Sequence, residues 1–321
     1  MMETLEGLVA AHPNYYTRVG ADGRVIIRPD APIPGKVGIV TGGGFGHLPL
    51  FTGYLGHGLL DACAIGDVFA SPGAELMAEA IRAVSTGAGV LRLYGNYGGD
   101  RMNFDMAGEF VEMEGIRTTA VLVADDVASA GPDERQKRRG VGGLIFCFKI
   151  AGAKAETMAG LEEVTAVVQK AADNCRSIGV ALTPCTVPSA GRPTFSIKEN
   201  EMEIGMGIHG EPGVRRGPLQ TADEIAHEML EILLTDMPLT PGDRISVLCN
   251  SLGATPLEEL YIVYRYVAEK LGAKGITIVA PLVGRYATSM EMAGMSLTFC
   301  KLDAELETLL TAACDCPFLK V

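Results

Sequence analysis

The sequence predicts an α/β fold: two α/β domains with mainly parallel or mixed sheets, and a functional site carried on sheet-edge loops. Three observations point there. Short apolar runs alternate with amphipathic stretches along the chain, as strands do with the helices that cover them. Apolar residues make up 48% of the 321 and charged residues 21%, a balance that buries a substantial core. Glycine is abundant at 40, whereas Trp is absent and there are 9 Tyr and 10 Phe, so tight turns and close backbone approaches are expected throughout.

The elements follow in order. Residues 37–41, 90–94 and 119–123 are apolar runs bounded by glycine or polar residues and read as buried strands. Ser71 and Pro72 offer an N-cap and a first-turn proline for a helix with Met77, Ile81 and Val84 on one face. Residues 124–140 interrupt the pattern. With Arg135, Lys137, Arg138 and Arg139 they read as a solvated loop, or alternatively as a docking patch for an acidic partner. Helical spacing resumes over 143–157 and 161–176. Three prolines between Thr183 and Pro193 break regular structure and mark the expected domain junction, giving domains 1–184 and 185–321. Thr221 to Glu224 forms a capping box that opens a helix to about residue 235. A strand at 244–249 precedes Thr255 and Pro256, expected as N-cap and first helical residue. That helix carries Leu257, Leu260, Tyr264, Val267 and Leu271 and stops at Gly272. Strands at 275–280 and 295–301 and a helix at 303–312 complete the second unit.

Charge and cysteine usage narrow the function. With 27 basic and 39 acidic residues the net charge is −12, which disfavours nucleic acid and anionic membrane surfaces as partners. The first residues lack the basic start and apolar core of a secretory signal, and no run approaches the roughly 18 apolar residues of a membrane span. The eight cysteines lie mostly in apolar runs and read as free thiols, and Cys314 and Cys316 are too closely spaced for a zinc knuckle. A soluble, cytoplasmic, metal-free chain is expected.

The chemistry concentrates near glycines. The first strand runs into Gly42-Gly43-Gly44-Phe45-Gly46-His47, where bare backbone can approach a ligand. The G-x-G-x-x-G spacing fails, because Pro49 stands three residues after Gly46. No Gly-rich loop ends in G-K-[ST], so a nucleotide phosphate cradle is unsupported. Of five histidines, His47 closes this loop and His209 lies within Gly205–Gly213, where Gly207 and Gly210 would bare both sides of its imidazole for a substrate. His12, His57 and His227 read as ordinary turn or helix residues. Asp100 follows Gly98 and Gly99 after the 90–94 strand and reads either as an N-cap or as a general base; Asp67 poses the same choice. Loops 42–47, 66–72 and 95–100 should converge on one crevice, a small-molecule site with His and Asp available for acid–base or covalent work.

Gly42 to Pro49 resembles the glycine-histidine loop of the substrate-binding subunit of the dihydroxyacetone kinase family. The likeness continues through Gly66–Pro72, Asn96–Phe104, Arg138–Gly142, Leu182–Pro188, Gly207–Gly213, Asn250–Pro256 and Thr288–Gly294, in order and over nearly the whole chain. The resemblance implies two α/β domains with the site between them and a homodimer. It implies that His209 adds through its imidazole nitrogen to the ketone of a short ketose, forming a hemiaminal. His47 and Asp100 then assist that addition and activate the hydroxyl to be phosphorylated. Gly44, Phe45 and Gly46 match the family's substrate loop, and Ser71 a position near the bound ketose. No cofactor is expected on this chain: ATP or ADP with Mg²⁺ would sit on a nucleotide-binding helical kinase subunit, which is either ATP-using or recharged by the phosphotransferase system. Three positions depart from the family. Its loop Ser is here Phe45, its Glu after the histidine is Leu48, and its Lys five residues before the Asp is Gly95. Loss of the Lys frees space beside the substrate and points to a ketose other than dihydroxyacetone, such as four-carbon erythrulose. The alternative function is a non-catalytic ketose sensor that partners a transcription factor; the retained Asp100 favours the enzyme.

Overall fold

The computed structural model describes residues 1–321. The chain divides into two compact units. The first comprises Met1–Val123, Leu144–Ala172 and Thr308–Val321; the second comprises Ala124–Gly143 and Asp173–Glu307.

The first unit contains α1 (Met2–Ala11), β1 (Thr17–Val19), β2 (Val25–Ile27), β3 (Gly38–Phe45), β4 (Ala62–Val68), α2 (Ala74–Val84), β5 (Val90–Gly95), α3 (Gly98–Met113), β6 (Thr118–Val123), α4 (Gly143–Glu156) and α5 (Leu161–Asp173). Its sheet has the order β1-β2-β4-β3-β5-β6. From β4 to β6 every pair is parallel, whereas β1 and β2 are added antiparallel at one edge. The parallel register brings the C-terminal ends of β3, β4 and β5 to one sheet edge, where α/β folds bind ligands. Val40, Ala62, Ala64, Val90 and Tyr94 of the strands pack with Met77, Ile81 and Val84 of α2 and Phe104 and Val111 of α3. The α2 stripe is therefore as its spacing predicts, but its cap is Gly73 rather than Ser71. The Ser71 hydroxyl instead donates to the Pro72 carbonyl and accepts from Asn103 Nδ2, each at 3.2 Å.

The second unit contains β7 (Cys175–Ala181), the hairpin β8 (Thr186–Val187) and β9 (Arg192–Pro193), β10 (Glu201–Ile204), β11 (Arg215–Pro218), α6 (Ala222–Asp236), β12 (Arg244–Ser251), α7 (Leu257–Ala273), β13 (Thr277–Ile278), β14 (Leu282–Gly284) and β15 (Gly294–Leu302). After α8 (Ala304–Thr311), the hairpin β16 (Asp315–Cys316) and β17 (Leu319–Lys320) returns to the first unit. The second sheet, β11-β10-β7-β15-β12-β13 with β14 also beside β12, is mixed. Only β13 and β14 run parallel to β12. Its core joins Ile178, Val247, Leu297 and Phe299 to Met229, Leu233, Leu260 and Val267.

The chain does not divide at 184/185. Strand β7 already hydrogen-bonds into the middle of the second sheet, so the proline-rich segment lies within the second unit as a short hairpin. The 161–176 helix ends at Asp173 because Cys175 starts that strand. The Thr221 capping box is formed. For α7 the cap is Pro256, since the Thr255 hydroxyl donates to Gly294 O at 2.7 Å and accepts from Gly294 N at 2.8 Å. Leu257 is exposed and Val263 takes its expected core place. The left-handed residue after the helix is Gly275, not Gly272.

Within 124–140 the solvated-loop reading holds for residues 131–137, which are exposed, but not for Arg138 and Arg139. Arg138 is 1% exposed and donates to both carboxylate oxygens of Asp236, on which Arg176 also converges. Burial would raise the Asp236 carboxyl, but these two guanidinium groups hold it down at about 2. Arg139 is likewise turned inward, so of the four basic residues only Arg135 and Lys137 remain exposed.

Candidate functional site

The first unit assembles its part of the site from backbone. At Gly44 a Cβ would lie 2.7 Å from Ala70 N and 2.9 Å from Phe69 Cα, so the loop after β4 packs directly on the bare glycine. Phe69 is held in the left-handed region at φ 57°, donates its N–H to Phe45 O at 2.9 Å, and stacks its ring on His47 at 4.8 Å. A non-glycine residue in that conformation is strained and persists only where its surroundings demand it. His47 is thereby enclosed, with 1% exposure, and Phe51 stands edge-on to it.

The third loop joins through α3. Asp100 is the third residue of that helix and is buried; Tyr97 is the N-cap and no side chain caps the helix. The N-cap reading of Asp100 is therefore replaced by a buried carboxylate in the first turn, where helix polarity favours anions. A Cβ on Gly99 would meet Ser71 Cβ at 3.2 Å, and Asn103 holds the Ser71 hydroxyl, so α3 and the 66–72 loop are fastened together. Gly95 is buried at the end of β5. Loops 42–47, 66–72 and 95–100 thus meet at one sheet edge, as their positions predict. Asp67 does not join them: it is exposed and pairs with Arg24 at 3.1 Å, which excludes the general-base reading.

His209, in the second unit, is held by charge. Its Nδ1 lies 2.9 Å from Glu211 Oε1, and its backbone N–H donates to Glu211 Oε2 at 3.0 Å. Burial would raise the Glu211 carboxyl, but the hydrogen bond and charge of His209, with Arg139 behind, hold it down at about 2. An ionised carboxylate only accepts hydrogen bonds, so Nδ1 carries a proton in this contact. The glycines do not bare the imidazole as expected. A Cβ on Gly207 would fall on the Glu211 carboxylate and the Arg139 guanidinium, and Gly210, at φ +86°, packs against Thr194 and Phe195. Glu211 escaped the sequence reading. Its signal was a carboxylate two residues after a histidine in a glycine-rich loop.

The remaining histidines have structural surroundings. His12 meets the rings of Tyr16 and Phe318 edge-on, His57 is exposed 3.5 Å from Glu156, and His227 is exposed beside Tyr266. All eight cysteines are buried and free. No group of three or more His, Cys, Asp or Glu side chains is placed to hold a metal ion. No helix is long and apolar enough to cross a membrane.

Comparison with known proteins places the chain among relatives. The Dak1 domain family matches residues 6–318. The chain is 45% identical over 319 residues to the dihydroxyacetone-binding subunit DhaK of a PTS-dependent dihydroxyacetone kinase of Listeria innocua, covering 99% of this chain and 96% of that one. It is 44% identical to the L-erythrulose kinase of Pectobacterium atrosepticum over 98% of its own length, but spans only 54% of that protein. Among solved structures, the dihydroxyacetone kinase of C. freundii in complex with AMP-PNP and Mg²⁺ superposes with a TM-score of 0.90 at 33% identity, covering 99% of this chain and 59% of that one. The dihydroxyacetone kinase operon co-activator Dha-DhaQ superposes with a TM-score of 0.91 at 30% identity, covering 97% and 96%. The chain belongs to the Dak1 domain family.

Proposed function

We propose that this chain is the ketose-binding subunit of a kinase, holding a short ketose covalently on His209 and presenting its hydroxyl for phosphoryl transfer. The observation that supports this reading is the His209–Glu211 pair: a carboxylate 2.9 Å from Nδ1 suits a proton there and Nε2 as the attacking nitrogen. Nε2 bonds to the ketone carbon while the carbonyl π pair moves to oxygen. That oxygen takes a proton from a general acid, the role assigned to His47. A reversible bond of this kind selects ketones over polyols of the same shape, because polyols lack an electrophilic carbon. It also positions the terminal hydroxyl, which is most of what phosphoryl transfer requires. Asp100 accepts the proton of that hydroxyl. Gly44, Phe45, Gly46, Ser71 and Gly95 line the substrate.

Nucleotide and Mg²⁺ belong to a helical partner subunit in this reading. The working form is a soluble, cytoplasmic homodimer. Phe45, Leu48 and Gly95, with the likeness to an L-erythrulose kinase, favour a four-carbon ketose over dihydroxyacetone. The test is ¹³C NMR with carbonyl-labelled dihydroxyacetone and, separately, erythrulose. Conversion of the ketone resonance to that of a tetrahedral carbon is expected, in greater proportion for erythrulose and absent in His209→Ala. An unchanged ketone resonance with both sugars overturns the covalent reading. A second reading, a ketose-sensing co-regulator, is favoured by the full-length likeness to the co-activator. A sensor would form the adduct yet pass no phosphoryl group with any donor subunit.

A further inference from the structure

Arg139, read from sequence as part of a solvated loop or, alternatively, of a docking patch, is turned instead toward the His209 loop. Its Nε and Nη2 both donate to Asp126 Oδ2, at 2.8 and 2.7 Å. The same Nη2 donates to Gly205 O at 3.1 Å, and Nη1 lies 3.7 Å from Glu211 Oε2. The guanidinium thus touches both ends of the 205–211 loop, a carbonyl before His209 and a carboxylate after it. It is itself well anchored. The Asp126 N–H donates to Arg139 O at 3.0 Å, the Arg139 N–H donates to Ser129 Oγ at 3.0 Å, and Asp126 Oδ1 accepts from Ala128 N at 3.1 Å. Asp126 and Arg139 are both largely buried, and Gly207 leaves room for the Arg139 and Glu211 heads together.

We propose that Arg139, braced by Asp126, is a positioning residue for the His209 nucleophile, clamping the 205–211 loop and holding Glu211 against His209 Nδ1. This rests on the covalent reading of His209. A planar guanidinium suits the task because several donors leave it in fixed directions, so one group bridges three acceptors. The Arg139 charge also favours the ionised form of Glu211, beside the larger effect of the His209 hydrogen bond. As Nε2 bonds to the ketone carbon, the ring becomes positively charged while the Nδ1 proton stays in the hydrogen bond to Glu211. An anion fixed at that point lowers the energy of the adduct. Without the clamp, Glu211 keeps only the His209 N–H as a fixed donor, its carboxylate drifts from Nδ1, both ring tautomers populate, and a share of Nε2 atoms carry the proton and cannot attack.

The test compares wild type with Arg139→Met and Arg139→Lys. The ¹⁵N shifts of His209 in the ketose-free protein report the tautomer, and titration with ¹³C-labelled erythrulose reports the adduct. Arg139→Met is expected to mix the tautomers and weaken adduct formation about 10- to 100-fold, the range usual for loss of a residue that orients a functional histidine. Arg139→Lys keeps the charge but cannot bridge both loop ends, and is expected to fall between the two. It serves as the deciding variant if Arg139→Met does not fold. Wild-type tautomer shifts and wild-type adduct affinity in the folded variants overturn the proposal. If wild type binds no ketose covalently, the function fails, whereas the tautomer shifts still decide the role of Arg139.

Discussion

His47 is 1% exposed and is enclosed by backbone and rings, whereas His209 keeps 25% of its side chain exposed and is held by a carboxylate and an arginine. The 42–47 loop takes its shape from parallel strands and from glycines that let the next loop sit on them. The 205–211 loop is closed by its own hydrogen bonds, from Gly207 N to Glu211 O and from Gly210 N to Gly207 O, and is met by the Arg139 side chain from another segment. Backbone packing fixes position within tenths of an ångström and is indifferent to charge. A charged neighbour also bears on protonation, which backbone packing does not.

The largest expected effects test the division of labour. His209→Ala should abolish the adduct, with activity falling on the order of 10³-fold or more, the scale of losing a covalent nucleophile. Asp100→Asn should leave the adduct intact in ¹³C spectra while phosphoryl transfer falls roughly 10²- to 10⁴-fold. If Asp100→Asn removes the adduct as well, the two halves are not separable in function.

Next comes the buried arginine beside the clamp. Arg138→Met leaves Asp236 with Arg176 and strips a guanidinium from a buried network, which should destabilise the protein by about 3–5 kcal/mol in denaturant unfolding. A loss below about 1 kcal/mol would show that the charge-built segment does not depend on that network.

Glycine replacements sharpen the contrast. At Gly44 a methyl group meets backbone atoms of 69–70, so Gly44→Ala should cost about 1–3 kcal/mol and lower Tm. At Gly207 it meets the charged ends of two side chains, Glu211 and Arg139, and no backbone atom is among its nearest neighbours. Gly207→Ala should therefore melt close to wild type while losing adduct. Equal stability losses in the two variants would break the comparison.

The smallest effect is in acid. Glu211 is held at about 2, below its ordinary 4.5, so its hold on His209 is complete above pH 4.5 and disappears as pH falls through about 2. Hydrogen exchange at 205–213 should accelerate across that window. The Gly44–Phe69 contact, which is backbone packing, should keep its protection; loss of both together would refute the distinction.

The amino-acid sequence by itself determined whatever depends on neighbours along the chain. The Thr221 capping box, the α2 stripe of Met77, Ile81 and Val84, and the strands at 37–41, 90–94 and 119–123 are local patterns, and they fold as read, whereas β4, which ends at the 66–72 loop, went unread. The sequence also placed His47 and Asp100 at one sheet edge, because parallel strands put successive C-terminal ends together. Only the tertiary structure decided the partners of groups that are distant in sequence. Ser71 and Thr255 look like caps, but Asn103 and Gly294 claim their hydroxyls. Arg138 and Arg139 look like a solvated basic run, but Asp236, Asp126 and Glu211 draw them inward, because a buried carboxylate must be paired or hydrogen-bonded. The division of the chain was set in the same way. Hydrogen bonding of β7 to β15 decides where the second unit begins, and no proline records a pairing with a strand more than a hundred residues away.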